Sequence, residues 1–282
     1  MGPLMIDDRG SAPRARKRLD DLLASLPGFA WQIGLTRQDP LYSRFLGSAH
    51  QPRIEKINDW VTTHIDVDGS FEPFWQTRAK KVRQDVRRIF RRLETSSINW
   101  RLEVLRDHEA MPAGVRQYGE LESVGWKGRE GTAIHSDNVQ GEFYTRVLQG
   151  FARAGDARIY QLYLDDRLAA SLLTISRNRM LVVLKTTYDE SVASLSPGRL
   201  IDYLMLEWAF ADKDIGRIEN YTNASAEDAR WCSGSRNLYH VNYYRYDAMR
   251  RLTQVRRRLQ TKWRERKLAA LEVQTRRTEG CF

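Results

Sequence analysis

Five consecutive residues, Leu195, Ser196, Pro197, Gly198 and Arg199, are the part of this 282-residue chain best suited to hold an anion. They stand between an apolar run at 180–187, with the length and β-branched content of a buried strand, and a helical repeat at 199–210 carrying Leu200, Tyr203, Leu204, Leu206 and Trp208. A Ser-Pro-Gly turn that opens a helix leaves backbone N–H groups at the positive end of the helix dipole, which suits a phosphate. The same residues also read as an ordinary helix start, with Ser196 as N-cap and Pro197 in the first turn. Lys185 is the charged side chain within the apolar run: it either reaches the wet end of its strand or acts on donor or acceptor. Trp126 and Lys127 lie in a glycine-rich link between two helices, where they read as an acceptor-side lid or as an anchor of the loop.

The elements that must position these groups follow from periodicity. Alternation of Ile98, Trp100, Leu102 and Val104 with polar residues predicts a half-buried strand, followed by helices near 109–123 and 141–154. Three strands at 158–164, 168–176 and 180–187 are joined by three-residue links, which force an antiparallel meander. The 199–210 helix, a strand at 217–222, a helix near 225–233 and a strand at 238–246 complete the core. Ahead of it stand a basic lead-in at 1–28, two short strands at 30–35 and 60–67, and a helix over 73–94. A last helix at 247–270 sets Met249, Leu252, Val255, Leu259 and Trp263 on one face. The expected division is an abbreviated N-terminal segment, 1–70, read as a remnant half-domain; a main domain, 71–246, with its lead-in helix 73–94; and a basic helix and tail, 247–282.

Composition narrows the classes. At 41% hydrophobic residues the chain can bury a real core, and no apolar run approaches the ~20 residues that span a bilayer. The start, MGPLMIDDRG, lacks the basic and apolar regions of a signal peptide, so a cytoplasmic protein is expected. Two cysteines, Cys232 and Cys281, make no disulfide framework, and five scattered histidines predict no metal site. The net charge of +10 belongs to two helices: 73–94 carries eight Lys/Arg against two acids, and 247–270 nine against two. Both basic faces read as solvated surfaces, or as weak attraction to a polyanion such as tRNA.

The order β-α-α-β-β-β-α-β-α-β is that of the GNAT acyltransferase fold, an α/β (α+β) architecture with a mixed, mostly antiparallel sheet flanked by helices. The chain resembles the GNAT-like group of the CelD/BioF2-type acetyltransferase domain, itself similar to the FemAB aminoacyl transferases. The resemblance rests on Glu122-Ser123-Val124-Gly125-Trp126-Lys127-Gly128 with Gly131-Thr132-Ala133-Ile134, on Phe143-Tyr144, on Lys185-Thr186-Thr187-Tyr188-Asp189 and on Leu195-Ser196-Pro197-Gly198, across about 71–246. The group carries a Tyr-Lys pair shortly before a tryptophan after the fifth strand. Here Glu227 and Asp228 stand before Trp231.

What the resemblance implies is transfer of an acetyl or acyl group from acyl-CoA, a co-substrate and not a resident cofactor, to an amine or hydroxyl acceptor, including a polysaccharide or cell-envelope precursor. Leu195, Ser196, Gly198 and Arg199 would receive the donor's pyrophosphate. Main-chain N–H groups over 184–187, at Thr186 and Thr187 above all, would polarise the thioester. Trp126, Lys127 and Tyr188 would meet the acceptor. Glu219 and Tyr221 lie where such enzymes place acid/base groups, beside Lys185. Cys232 has no evident base partner, so direct attack by the acceptor is expected over a covalent intermediate. Two other readings stay open: a FemAB-like transferase fed by charged tRNA, and a degenerate domain kept for binding.

Overall fold

The computed structural model of the chain describes residues 12–42, 52–135 and 137–279; the N-terminal decapeptide and Cys281, both used above, lie outside the described residues. The chain divides into two units, Val61–Arg236 and Met1–Trp60 with Asn237–Phe282. These units divide at 61 and 236, where the sequence reading divides the chain at 71 and 246, and the C-terminal helix shares a unit with the N-terminal segment.

The larger unit is built on a sheet. Its strands are the second half of β2 (Ile54–Asp66), then β3 (Trp100–Leu105), β4 (Ala157–Leu164), β5 (Arg167–Arg177), β6 (Met180–Tyr188) and β7 (Arg217–Glu219), in the spatial order β2-β7-β6-β5-β4-β3. All pairs are antiparallel except β6–β7. The helices are α2 (Phe71–Gln76), α3 (Lys80–Thr95), α4 (Met111–Val124), α5 (Trp126–Arg129), α6 (Val139–Ala152) and α7 (Pro197–Ala211).

Helices cover both faces, which is why β4 and β5 read as nearly unbroken apolar runs. Strand alternation sorts the side chains into two cores. Tyr160 and Leu172 pack with α3 and α7 (Leu93, Leu200, Leu204), while their neighbours Ile159 and Leu173 pack with α4 and α6 (Val115, Tyr118, Leu148).

Three expectations change. The 73–94 helix is two helices: Ala79 is extended (φ −52°, ψ 136°) and Arg78 reaches across to the carbonyls of Trp231 and Cys232, a tertiary contact that breaks the run. The 225–233 helix shrinks to one 3-10 turn, Asp228–Arg230, because Asp228 accepts the Ser225 N–H and Oγ–H and closes a local turn instead. The 217–222 strand ends at Glu219, and Tyr221 takes a left-handed φ of 45°.

The smaller unit pairs β1 (Gln32–Gln38) with β8 (Gly234–Tyr244), antiparallel, under α1 (Ala12–Ser25). Leu19 and Leu23 of α1 pack on Leu35, Val241 and Tyr243. The last helix, α8 (Asp247–Glu279), leaves Leu252, Val255, Leu259 and Trp263 52–63% exposed.

Candidate functional site

β6 and β7 are paired at only three positions, Met180↔Arg217, Leu181↔Ile218 and Val182↔Glu219. Beyond Val182 the strands part, and α7 supplies the other wall of a cavity of about 570 Å³ between them. Val183 and Thr186 line it from β6, Asp202 and Met205 from α7, and Asn220 and Trp231 from beyond β7. A second recess, about 420 Å³, opens at the start of α7 against Tyr188, Ser196 and Gly198; Thr186, Arg199 and Asp202 border both.

The register of β6 contains a bulge. Leu173 pairs with Lys185 and the next residue, Thr174, with Val183, so Leu184 is the extra residue of β6. A bulge leaves that residue outside the regular ladder and re-aims the side chain beside it. Strict alternation would send Lys185 to the face of Val183, among the α7 contacts. The bulge returns it to the face of Leu173, toward α4.

There it meets a buried carboxylate. Glu122, on the last turn of α4, is 1% exposed and accepts from the Ile134 N–H (2.7 Å), the Tyr118 hydroxyl (3.0 Å) and Lys127 Nζ (2.5 Å), with Lys185 Nζ at 3.7 Å. Burial works to raise the Glu122 pKa, but the Ile134 N–H and the two lysines outweigh it and hold the carboxyl below its ordinary value. Burial pushes the Lys185 ammonium below the ordinary lysine value, against the pull of Glu122. Lys127 also donates to the Thr186 carbonyl (3.3 Å), tying α5 to the bulged strand. The link depends on Gly128, since a Cβ there would fall 1.8 Å from the Ser123 carbonyl oxygen.

At the start of α7, Ser196 is left-handed (φ 53°, ψ 50°) and its hydroxyl caps nothing, in contrast to the capping role its sequence position suggests. Its carbonyl instead accepts the N–H groups of Arg199 and Leu200. A Cβ on Gly198 would stand 3.4 Å from the Tyr188 ring, in ordinary contact, so a larger side chain there would fill the turn's open surface. Arg199 is bound by Glu227 and lies 3.6 Å from Asp85, so its charge is already matched by carboxylates. Burial, with the Asp228 charge adding to it, raises the Asp202 carboxyl to about 7.

The sequence-predicted residues therefore divide. Lys185, Lys127, Thr186, Arg199, Ser196, Gly198 and Tyr188 border the paired cavities. Thr187 is buried, Leu195 packs into the α7 core, and Trp126 is half exposed, its main-chain N–H donating to Glu190 (2.8 Å). Glu219 is fully buried on the other side of β7, held by Arg236 (2.9 Å), and Tyr221 lies against the same guanidinium; neither lines the cavity. The Cys232 thiol is buried, and burial raises its pKa, opposite to what a nucleophile needs.

Glu122 and Asp202 are the candidate site residues that periodicity missed. Asp202 had a visible signal, a lone acid inside the apolar run Leu200–Leu206. For Glu122 the signal was Tyr118 one helical turn before it. Among the described residues no group of three His, Cys, Asp or Glu side chains is placed to hold a metal, and no helix is long and apolar enough to cross a membrane.

Comparison with known proteins bears on the fold. No curated protein sequence matches the chain. Among solved structures it is similar to the C-terminal domain (DUF2156) of a putative lysylphosphatidylglycerol synthetase from Agrobacterium fabrum, at 10% identity and a TM-score of 0.57 over 83% of this chain and 74% of that one. It is similar to a protein of unknown function from Bacteroides thetaiotaomicron (9%, TM-score 0.59, 84% and 76%) and to FemX (10%, TM-score 0.55, 83% and 77%). At these identities the likeness is one of fold. A family model does match in sequence, over residues 80–226, from α3 through the strands that bound the cavity. The chain belongs to the acetyltransferase (GNAT) domain family, and its fold is that of a GNAT acyltransferase.

Proposed function

We propose that this protein transfers an acyl group from acyl-CoA to an amine or hydroxyl acceptor. The observation that carries the reading is the parting of β6 and β7 after three pairs, with the glycine-floored start of α7 at the mouth of the gap. The pantetheine arm would lie in the 570 Å³ cavity and the pyrophosphate against the 196–198 turn.

The Leu184 bulge interrupts the β5–β6 ladder beside the cavity, and a main-chain N–H there would suit the oxyanion that forms when the acceptor attacks the thioester carbon. The carbon–sulfur bond then breaks and CoA leaves as the thiol. Asp202, poised near neutrality, accepts the acceptor's proton and returns it to the departing sulfur. Lys127 and Lys185, held by Glu122, bring positive charge to the β6 side of the cavity. Acyl-CoA as donor puts the reaction in the cytoplasm. By the resemblance to the CelD-type group, the acceptor would be a sugar or cell-envelope precursor.

Titration calorimetry with acetyl-CoA, free CoA and a long-chain acyl-CoA tests this. Binding that persists in salt and is lost in Gly198→Trp supports it; binding unchanged in that variant overturns the donor site.

A second reading has its own observation. Asp202 and Asp228 stand in the cavity wall beside the Glu227–Arg199 pair and give it acidic character. Such a wall suits a donor whose acyl group carries an ammonium, as an aminoacyl group does, better than it suits an acetyl group. The likeness to FemX and to a lysylphosphatidylglycerol synthetase domain supports this reading, as do the Arg87, Arg88, Arg91 and Arg92 charges of α3. It predicts tRNA binding that weakens steeply with salt and when those four arginines are neutralised.

A further inference from the structure

At the other end of α7, about 20 Å from Gly198 by helix rise, a polar cavity of about 720 Å³ is walled by the loop ends of the sheet. Five cations line it: Arg106, Arg158, Arg177, Arg179 and Lys213. Three acids do so too: Asp156, Asp212 and Asp214. The donor cleft uses none of them.

Arg158 is the floor. It is 7% exposed, its Nη1 donates to Ser176 Oγ (2.8 Å) and its Nη2 to Asp212 (3.0 Å). Its buried Nε has no partner among the described residues. The Arg106 guanidinium lies 4.6 Å from the Trp208 ring centroid and that of Arg158 4.9 Å from it, so two like charges share one indole. Asp212 balances Arg158 and Asp156 balances Arg177 (2.9 Å), whereas Arg106, Arg179 and Lys213 have no carboxylate partner among the described residues.

Arg179 is also conformationally costly. It follows Asn178 in a two-residue hairpin in which both have positive φ, 50° and 61°, and the second position of such a turn is ordinarily glycine. Here it holds an arginine whose side chain runs across Gly216 toward the cavity.

We propose that this cavity is a binding site for a small phosphorylated molecule, with Arg106, Arg179 and Lys213 around its phosphate oxygens and Arg158 beneath. Planar guanidinium forks match phosphate oxygens two at a time, and the space holds a diphosphate with part of its organic group. The interspersed Asp156, Asp212 and Asp214 would repel a long polyanion passing over the rim, which favours a compact ligand over a nucleic-acid strand.

The test is calorimetry of the full chain with inorganic pyrophosphate. In Gly198→Trp, whose 196–198 recess is filled, one equivalent should bind, and adding Arg106→Gln with Arg179→Gln, both exposed and outside the core, should weaken it at least tenfold. Arg199→Gln, at the opposite end of α7, should leave it unchanged. Three results would overturn the proposal: no binding at millimolar pyrophosphate, binding indifferent to the double variant, or binding lost in Arg199→Gln instead. A pentanucleotide RNA that displaces pyrophosphate from this cavity and binds more tightly would overturn the assignment to a small molecule.

Discussion

Lys127 Nζ lies 2.5 Å from Oε1 of Glu122, five residues back along the chain, and the same oxygen is 3.7 Å from Lys185 Nζ, on a strand 63 residues away. One buried carboxylate thus fixes two lysines beside the cavity and ties α4, α5 and β6 together. Both lysines are partly exposed, so the carboxylate bears most of the desolvation cost.

Glu122→Gln removes the charge that both ammonium groups face, and should destabilise the fold by about 2 kcal/mol at neutral pH. Because the folded pKa of Glu122 lies below its ordinary value, its stabilisation is complete above about pH 4.5 and fades as pH falls through the folded value. Urea unfolding from pH 7 to pH 3 should show the variant's deficit shrinking toward acid.

Gly198→Trp should weaken acyl-CoA binding at least tenfold, or about 1.4 kcal/mol. The indole would fill the recess faced by Tyr188, which a Cβ alone already approaches to 3.4 Å. A near-unchanged melting temperature would separate this effect from misfolding.

Asp202, with its carboxyl raised to about 7, should give the rate an ascending limb centred there, and Asp202→Asn should remove the limb. The stability sign is opposite to that of Glu122. The native state holds the Asp202 proton between pH 4 and 7 while the unfolded chain does not, so stability falls as pH rises across that window. The variant, which has no charge to bury, should gain about 4 kcal/mol on the wild type between pH 4 and pH 8 in denaturant titrations.

Glu219 is fully buried, its carboxyl raised by burial and its Oε2 held by Arg236 at 2.9 Å. Arg236→Met should cost about 3 kcal/mol by leaving that charge only the Arg217 guanidinium, 3.8 Å away, and the double variant with Glu219→Leu should recover much of the loss. Guanidinium unfolding of the two variants reads the difference. Recovery of stability without change in donor affinity would mark Glu219 as part of the packing.

Sequence by itself determined the framework. Apolar alternation located β3 through β6, helical spacing located α4, α6 and α7, and the Ser-Pro-Gly turn marked where α7 begins, because local periodicity and turn chemistry are encoded within a few residues. Tertiary structure decided what the site contains. The Leu184 bulge shifts the strand by one residue, and a one-residue shift moves Lys185 from one face of the sheet to the other. No spacing in the sequence announces that shift. Likewise, Glu219 turns away from the cavity because its neighbour Ile218 fills the α7 side of the short β7, and Asp202 acquires its raised pKa from burial and from Asp228, 26 residues on. Strand face and burial depend on which partners the chain finds across the sheet, and only the folded chain brings those partners together.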